Sequence, residues 1–338
     1  MARLAVQTVR LALRTPLHSA WGTLEQRELL RVRLEFGGDD WGEGEAAPLE
    51  PYDGVPLEAV RDALAAYEPI LRAGDDLPGG ALLDACRDAA DLPQALAAVD
   101  LALWDRAGNR EGRPVSELIT DEPAASVRVN ATIAAEDRAG AAAAAADAAR
   151  AGYSCVKVKV GVGDDAGRVA AVRAAAGPEM ELRLDANGAW EVDEAVANID
   201  RLAPAGLELV EEPVHGIAAM RAVRDRVAVR VAMDETASEP GSLTAAVADA
   251  VCLKVSRCGG ISGLLAQAAL VRASGAEVYL ASTFDGPLGI AAAVHCAAAL
   301  RPSAASGLGT LERFSDELEV LPVEDGEIAV PAVPGLGV

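Results

Sequence analysis

Cys155-Val156-Lys157-Val158-Lys159-Val160 is a short run in which apolar and polar residues alternate, lying between two alanine-rich stretches. Alternation of this kind has the period of a β-strand. The flanking stretches, 135–151 and 166–176, have the composition of helices. From Val127 onward the same couplet recurs about once every 20–28 residues. Strands are expected at 127–131, 155–160, 181–185, 207–211, 229–233, 250–255, 277–281 and 305–308. Helices fit between them, as at 191–202, 243–248 and 261–274. Regular strand–helix alternation implies a parallel sheet, and eight units favour a closed (β/α) barrel. A doubly wound open sheet would want a glycine-rich turn after its first strand. Thr132-Ile133-Ala134-Ala135-Glu136 contains no glycine.

Outward from the barrel, residues 1–122 have another rhythm. Leu4 to Leu11 and Leu29 to Phe36 alternate with period two, joined by a polar loop over 16–26. Helical periodicity follows at 57–73 and 80–90, and Pro93 opens a third helix. This reads as a separate α+β unit. The barrel takes 123–312. The tail, 313–338, is strand-like, rich in Pro and Gly, and is expected to return to the N-terminal unit.

The chain of 338 residues is 51% hydrophobic, yet no run of 18 or more residues lacks charges. No membrane span is expected. Met1 to Leu13 lacks the long apolar stretch of a signal peptide, so a cytoplasmic location is the default. The net charge of −22 argues against nucleic acid and anionic membrane as partners. The five cysteines form no CxxC pair and read as buried free thiols.

The strand ends carry the chemistry. Lys159, Asp185, Glu211, Asp234 and Lys254 lie 26, 26, 23 and 20 positions apart, close to one repeat each. In a parallel barrel such residues converge at one mouth, where barrel active sites lie. Three adjacent carboxylates repel one another unless neutralised. A hard divalent cation with oxygen ligands answers that need, leaving about three octahedral positions for water and substrate. Lys157 and Lys159 share one strand face. Lys254 is four strands away, on the opposite wall. A cation on a substrate carboxylate acidifies the neighbouring C–H, and a lysine with a lowered pKa removes that proton. One strand-end Asp or Lys is usually a solvated rim residue. Five on consecutive strands are hard to obtain by chance.

At these residues the chain resembles the muconate-lactonising-enzyme subgroup of the enolase superfamily. The resemblance rests on Lys157-Val158-Lys159, Leu184-Asp185-Ala186-Asn187, Glu211-Glu212-Pro213, Asp234-Glu235, and Lys254 followed by Gly259-Gly260. It covers nearly the whole chain. It implies a (β/α)7β-type TIM barrel, an α/β fold with an α+β capping domain completed by the tail. It also implies Mg2+, with Mn2+ as an alternative, on Asp185, Glu211 and Asp234. Lys159 and Lys254 become the acid/base pair. Lys157 and Asn187 lie beside the substrate, with Glu212 and Glu235 behind the ligands.

Ala281-Ser282-Thr283-Phe284 and Ser306-Gly307-Leu308-Gly309-Thr310 look like o-succinylbenzoate synthases of menaquinone biosynthesis. Backbone N–H groups of Gly307 and Gly309, with Ser282, suit a substrate carboxylate; a tight turn is the alternative for the glycines. Dipeptide epimerases of the subgroup place an Asp-x-Asp pair in the corresponding loop, and no acid is present there. Asp285 is the nearest substitute. The implied reaction is a syn-dehydration with Lys159 as base. The loop over 16–26 would close over the substrate through His18 and Trp21. A muconate cycloisomerase, an N-succinylamino-acid racemase and a dipeptide epimerase are the isomerase alternatives. A metal-binding relative without activity is the non-enzymatic one. The expected partner is a small carboxylate, on a monomer or a homo-oligomer.

Overall fold

The computed structural model describes residues 2–19, 22–74, 77–134, 137–315, 318 and 320–338. Its first unit is an antiparallel sheet of β1 (Arg3–Ser19), β2 (Gly22–Gly37) and β3 (Asp40–Ala46). It continues with α1 (Glu50–Asp53), α2 (Leu57–Ala73), α3 (Gly79–Ala89), α4 (Pro93–Glu111) and α5 (Val115–Ile119). Leu30, Val32 and Leu34 alternate along β2 and share one buried cluster with Leu64, Tyr67 and Leu96 of the helices. Each leucine so buried contributes about 1.5–3 kcal/mol. At Gly44 a Cβ would stand 2.0 Å from the Ala98 carbonyl oxygen, so only glycine lets β3 lie this close to α4.

The polar loop expected over 16–26 is mostly strand. β1 and β2 stay paired out to Ser19 and Gly22, with a register shift between Ala12 and Leu17. Pro16 lies inside that shift, where a missing N–H costs no ladder bond. There the edge turns aside: Leu13 bridges Phe314, and Ser315 N–H donates to the Ala12 carbonyl.

The second unit begins with β4 (Ser126–Arg128) and β5 (Ala131–Ile133). The couplets α6 (Arg138–Arg150), β6 (Cys155–Lys159), α7 (Asp165–Ala176), β7 (Glu181–Asp185), α8 (Val192–Leu202), β8 (Leu207–Glu211), α9 (Ile217–Arg224) and β9 (Arg230–Met233) follow. Then come β10 (Ala250–Leu253), α10 (Val255–Cys258), α11 (Ile261–Ala273), β11 (Glu277–Leu280), α12 (Pro287–Leu300) and a terminal hairpin of β12 (Val323–Glu324) and β13 (Glu327–Ala329). Among the described residues, β5 to β11 form a curled seven-stranded sheet in sequential order, every pair parallel.

Three expectations change. The run over 127–131 is not one strand: β4 pairs antiparallel with β13 of the tail, and only β5 enters the parallel sheet. The eighth strand over 305–308 is reduced to single bridges, Ser306 to Val129 and Gly307 to Ala281, which link the two sheet edges. The helix over 243–248 is a 3-10 turn at Ser242–Thr244. Pro240-Gly241 interrupts the chain just before it, and Asp249 already leads into β10 beside β9, where its side chain accepts from Val231 N–H at 2.8 Å. The tail hairpin joins β4, while Leu336 N–H reaches Asp105 of α4 at 2.8 Å. All five cysteines are buried free thiols. Among the described residues no helix is long and apolar enough to cross a membrane.

Candidate active site

Parallel pairing sets the level of each side chain. Lys159 lies opposite Asp185, and Asp185 opposite Glu211, so the three stand side by side on β6, β7 and β8. A slip between the pairs Leu182/Leu207 and Arg183/Leu209 leaves Glu208 without a partner. Without it, every later side chain of β8 would face the other way and Glu211 would point into the helices. The Glu208 carboxylate pairs with the fully buried Arg183 at 3.0 Å. Asp234 follows β9 directly and Lys254 follows β10.

The charges interlock. Lys157 Nζ bridges Asp185 Oδ2 at 3.0 Å and Glu211 Oε1 at 3.1 Å. Lys159 Nζ lies 2.6 Å from Asp185 Oδ2 and 2.7 Å from Asn187 Oδ1. Asn187 Nδ2 in turn donates to Glu235 Oε1 at 3.0 Å. Lys254 pairs with Asp234. Glu212 accepts from Asp234 N–H at 2.7 Å and from Thr236 N–H at 2.9 Å, bracing the loop that carries Asp234. Asn187 and Glu212 hold positive φ, 45° and 38°, a strained backbone for non-glycine residues.

The carboxyls split in their affinity for protons. Burial opposes the charge of Asp185, but Lys157 and Lys159 outweigh it and hold its pKa below the ordinary value. Asp234 is lowered in the same way, burial being overcome chiefly by Lys254. Burial pushes Glu211 up, aided by Asp185 and Asp234 against Lys157. Burial, then Asp234 and Glu212, raise Glu235 to about 8. Lys157 and Lys254 are both raised: burial disfavours their charge, yet the touching carboxylates win.

Lys157, Lys159, Asp185, Asn187, Asp234, Lys254, Ser282, Gly307 and Gly309 all line one cavity of about 340 Å³. The expected anion role of Gly307 fails, because its N–H donates to the Leu280 carbonyl at 2.7 Å to close the sheet. Ser282 and Thr310 pair through their hydroxyls at 2.9 Å. Asp285 is turned away from the cavity, buried beside Glu45 and bonded to Thr283 at 2.6 Å. The His18 side chain and all of Trp21 lie outside the described residues.

Sequence reading missed four neighbours. Tyr52 arrives from α1 and Tyr279 from β11, where it donates to Glu211 Oε2 at 2.8 Å. Cys252 lies with Glu211 and Asp234, its Sγ and their oxygens all within 4.8 Å of one another. Arg313 lines the cavity from beyond the last bridges. Only the inward parity of Tyr279 and Cys252 on their strands could have flagged them.

The donor set fits a hard divalent cation. It offers three buried carboxylates from adjacent strand ends, two of them already sharing the ammonium of Lys157. Burial keeps the Cys252 thiol protonated, which suits a bystander rather than a ligand.

Two family models match the chain. One, described as "Mandelate racemase / muconate lactonizing enzyme, N-terminal domain", covers residues 1–120, and one described as "Enolase C-terminal domain-like" covers 140–338. The L-Ala-D/L-Glu epimerase of Bacillus subtilis is 29% identical, over 100% of this chain and 97% of its own. Its substrate-liganded structure superposes with a TM-score of 0.90 at 28% identity, covering 99% and 97% of the two chains. Muconate cycloisomerase 1 of Rhodococcus opacus is 30% identical over 96% and 91%. The o-succinylbenzoate synthase of Thermobifida fusca is 40% identical over 55% of this chain and 60% of its own.

Proposed function

Because the chain belongs to the mandelate racemase/muconate lactonizing enzyme family of the enolase superfamily, we propose that it is a Mg2+-dependent enzyme removing a proton from the carbon beside a substrate carboxylate. The observation that carries this reading is the level row of Lys159, Asp185 and Glu211, continued by Asp234 at the end of the next strand and by Lys254 at the end of the one after it. Asp185, Glu211 and Asp234 would hold the cation. When bound there, Mg2+ would supply the positive charge that stabilises the charge developing on the substrate carboxylate.

Lys159, aimed by Asn187, takes the α-proton. For the finer reaction we favour the syn-dehydration of an o-succinylbenzoate synthase, the place of the chain in menaquinone biosynthesis. Its support is the segment 40% identical to such a synthase and the acid-free Ser306–Thr310 stretch. In that reaction the C–H pair moves into the ring as the C–O bond breaks. The hydroxyl leaves as water, carrying back the proton from Lys159. Lys254 stands on the far wall as a positive charge against the carbanionic side.

An isomerase is the second reading. The two relatives matched over nearly their whole length are an epimerase and a cycloisomerase, and two lysines on opposite walls suit proton transfer on both faces. The test is a panel with Mg2+: the cyclohexadiene precursor of o-succinylbenzoate, a muconate, an N-succinyl amino acid and Ala-Glu, compared by kcat/KM. Turnover of the precursor is expected to lead. If another substrate turns over and the precursor does not, the synthase reading falls. If D185N, E211Q and D234N bind Mg2+ as tightly as the native chain in calorimetry, the metal assignment falls.

A further inference from the structure

Arg313 ends the 3-10 turn Leu311–Arg313, just past the bridges that close the sheet. It lines the cavity that holds Lys159, Asp185, Asp234 and Lys254. Its Nη2 donates to the Thr132 carbonyl on β5 at 2.8 Å. Thr132 pairs with Lys157 on β6, so Arg313 stands on the Lys159 side, away from Lys254 on β10. Burial pushes its pKa down, against a smaller upward pull from Tyr153 and Glu312. Among the described residues no carboxylate lies within ion-pair distance of this guanidinium. Glu312, which also faces the cavity, accepts instead from Val323 N–H at 3.2 Å.

A guanidinium carries five N–H donors in a planar fork. A partly buried one that spends a single group on a carbonyl is costly unless an anion completes it. The Ser282–Thr310 hydroxyl pair lies on the same cavity, while the Gly307 N–H is spent on the sheet. The cavity therefore has a carboxylate-rich pole between the lysines and a separate cationic pole at Arg313.

We propose that Arg313 is a specificity-determining residue that binds a second substrate carboxylate, remote from the carbon that loses its proton. This rests on the α-proton reading above and narrows its substrate class to dicarboxylates, the second acid lying on the Arg313 side of the cavity. The fork of Arg313 takes that acid in two parallel hydrogen bonds, with the Thr132 carbonyl holding its back edge.

The test separates binding from chemistry. Affinities for N-succinyl-L-phenylalanine and N-pentanoyl-L-phenylalanine, similar in length but differing in the distal acid, are measured by calorimetry with Mg2+ present. The native chain is expected to favour the succinyl ligand by roughly tenfold or more. R313Q is expected to erase that ratio, and R313K, which keeps the charge without the fork, to restore part of it. Circular dichroism melts confirm that both variants fold. No preference in the native chain, an unchanged ratio in R313Q, or failure of both ligands to bind would overturn the proposal. Exchange of the α-hydrogen in D2O, followed on the same two compounds by NMR, reports on the proton-abstraction reading alone. A preference without exchange on these compounds, together with no turnover of any substrate in the panel above, removes that reading and leaves the Arg313 subsite supported.

Discussion

Tyr52 Oη lies 2.9 Å from Lys254 Nζ, joining α1 of the N-terminal unit to the end of β10. The same oxygen accepts from Arg257 Nη1 at 2.9 Å and donates to Asp234 Oδ1 at 3.1 Å. One hydroxyl thus uses its donor and both lone pairs on three charged groups. Burial, and then Asp234, push its phenol well above the ordinary value, so it stays neutral and keeps its proton to donate.

Tyr52→Phe removes that junction without changing the ring. It is expected to cost about 1–3 kcal/mol in urea unfolding, because charged partners lose a buried hydrogen bond. It should also lower kcat/KM about tenfold as Lys254 loses a constraint on its position. Stability and kcat/KM both at native levels would show that the junction is only incidental.

The two lysines should fail differently. Lys159→Ala is expected to reduce α-hydrogen exchange in D2O by about 10²–10⁴-fold. On the synthase reading, Lys254→Ala lowers turnover without changing the face from which the proton is lost. On the isomerase reading it blocks exchange from one substrate hand only. Native-rate exchange in Lys159→Ala would remove this residue as the base.

Glu45 predicts a pH effect on stability remote from the carboxylate row. Burial raises its pKa from 4.5 to about 8, and Asp285 adds to the rise against Gly286 N–H and Arg27. The fold therefore prefers Glu45 protonated. The stabilisation is complete below the unfolded value and is lost as pH rises from about 4.5 to 8. The slope from this one group approaches about 1.4 kcal/mol per pH unit within that window. Glu45→Gln keeps a neutral side chain, so its urea-unfolding free energy should fall less than that of the native chain between pH 5 and 8. Parallel pH profiles for the two proteins would rule out Glu45 as the source.

Much of the barrel is legible in the strand ends because their period is local. Lys157 and Lys159 share a face by strand geometry alone, and the spacing to Asp185, Glu211, Asp234 and Lys254 follows from the length of one strand–helix couplet. Two of the failures share an origin. The split of 127–131 between β4 and β5 and the spent N–H of Gly307 are decided by partners outside the local stretch, Ile328 and Leu280, whereas the hairpin over 16–26 pairs its own neighbours, Leu17 with Leu24 and His18 with Thr23, beyond the register shift at Ala12 and Leu17. Local pattern carries no record of who pairs with whom. Asp285 shows the same limit, since its burial beside Glu45 depends on how the two units meet.

The order of residues alone determined that a row of acids would sit between two lysines, because side-chain parity and couplet length are properties of short segments. Only the tertiary structure decided that a one-residue slip at Glu208 turns Glu211 inward, that Tyr52 from another unit steadies Lys254, and that Arg313 ends up at the cavity wall. Those outcomes depend on how neighbouring strands register and on the meeting of surfaces distant in the chain, which local side-chain parity does not encode.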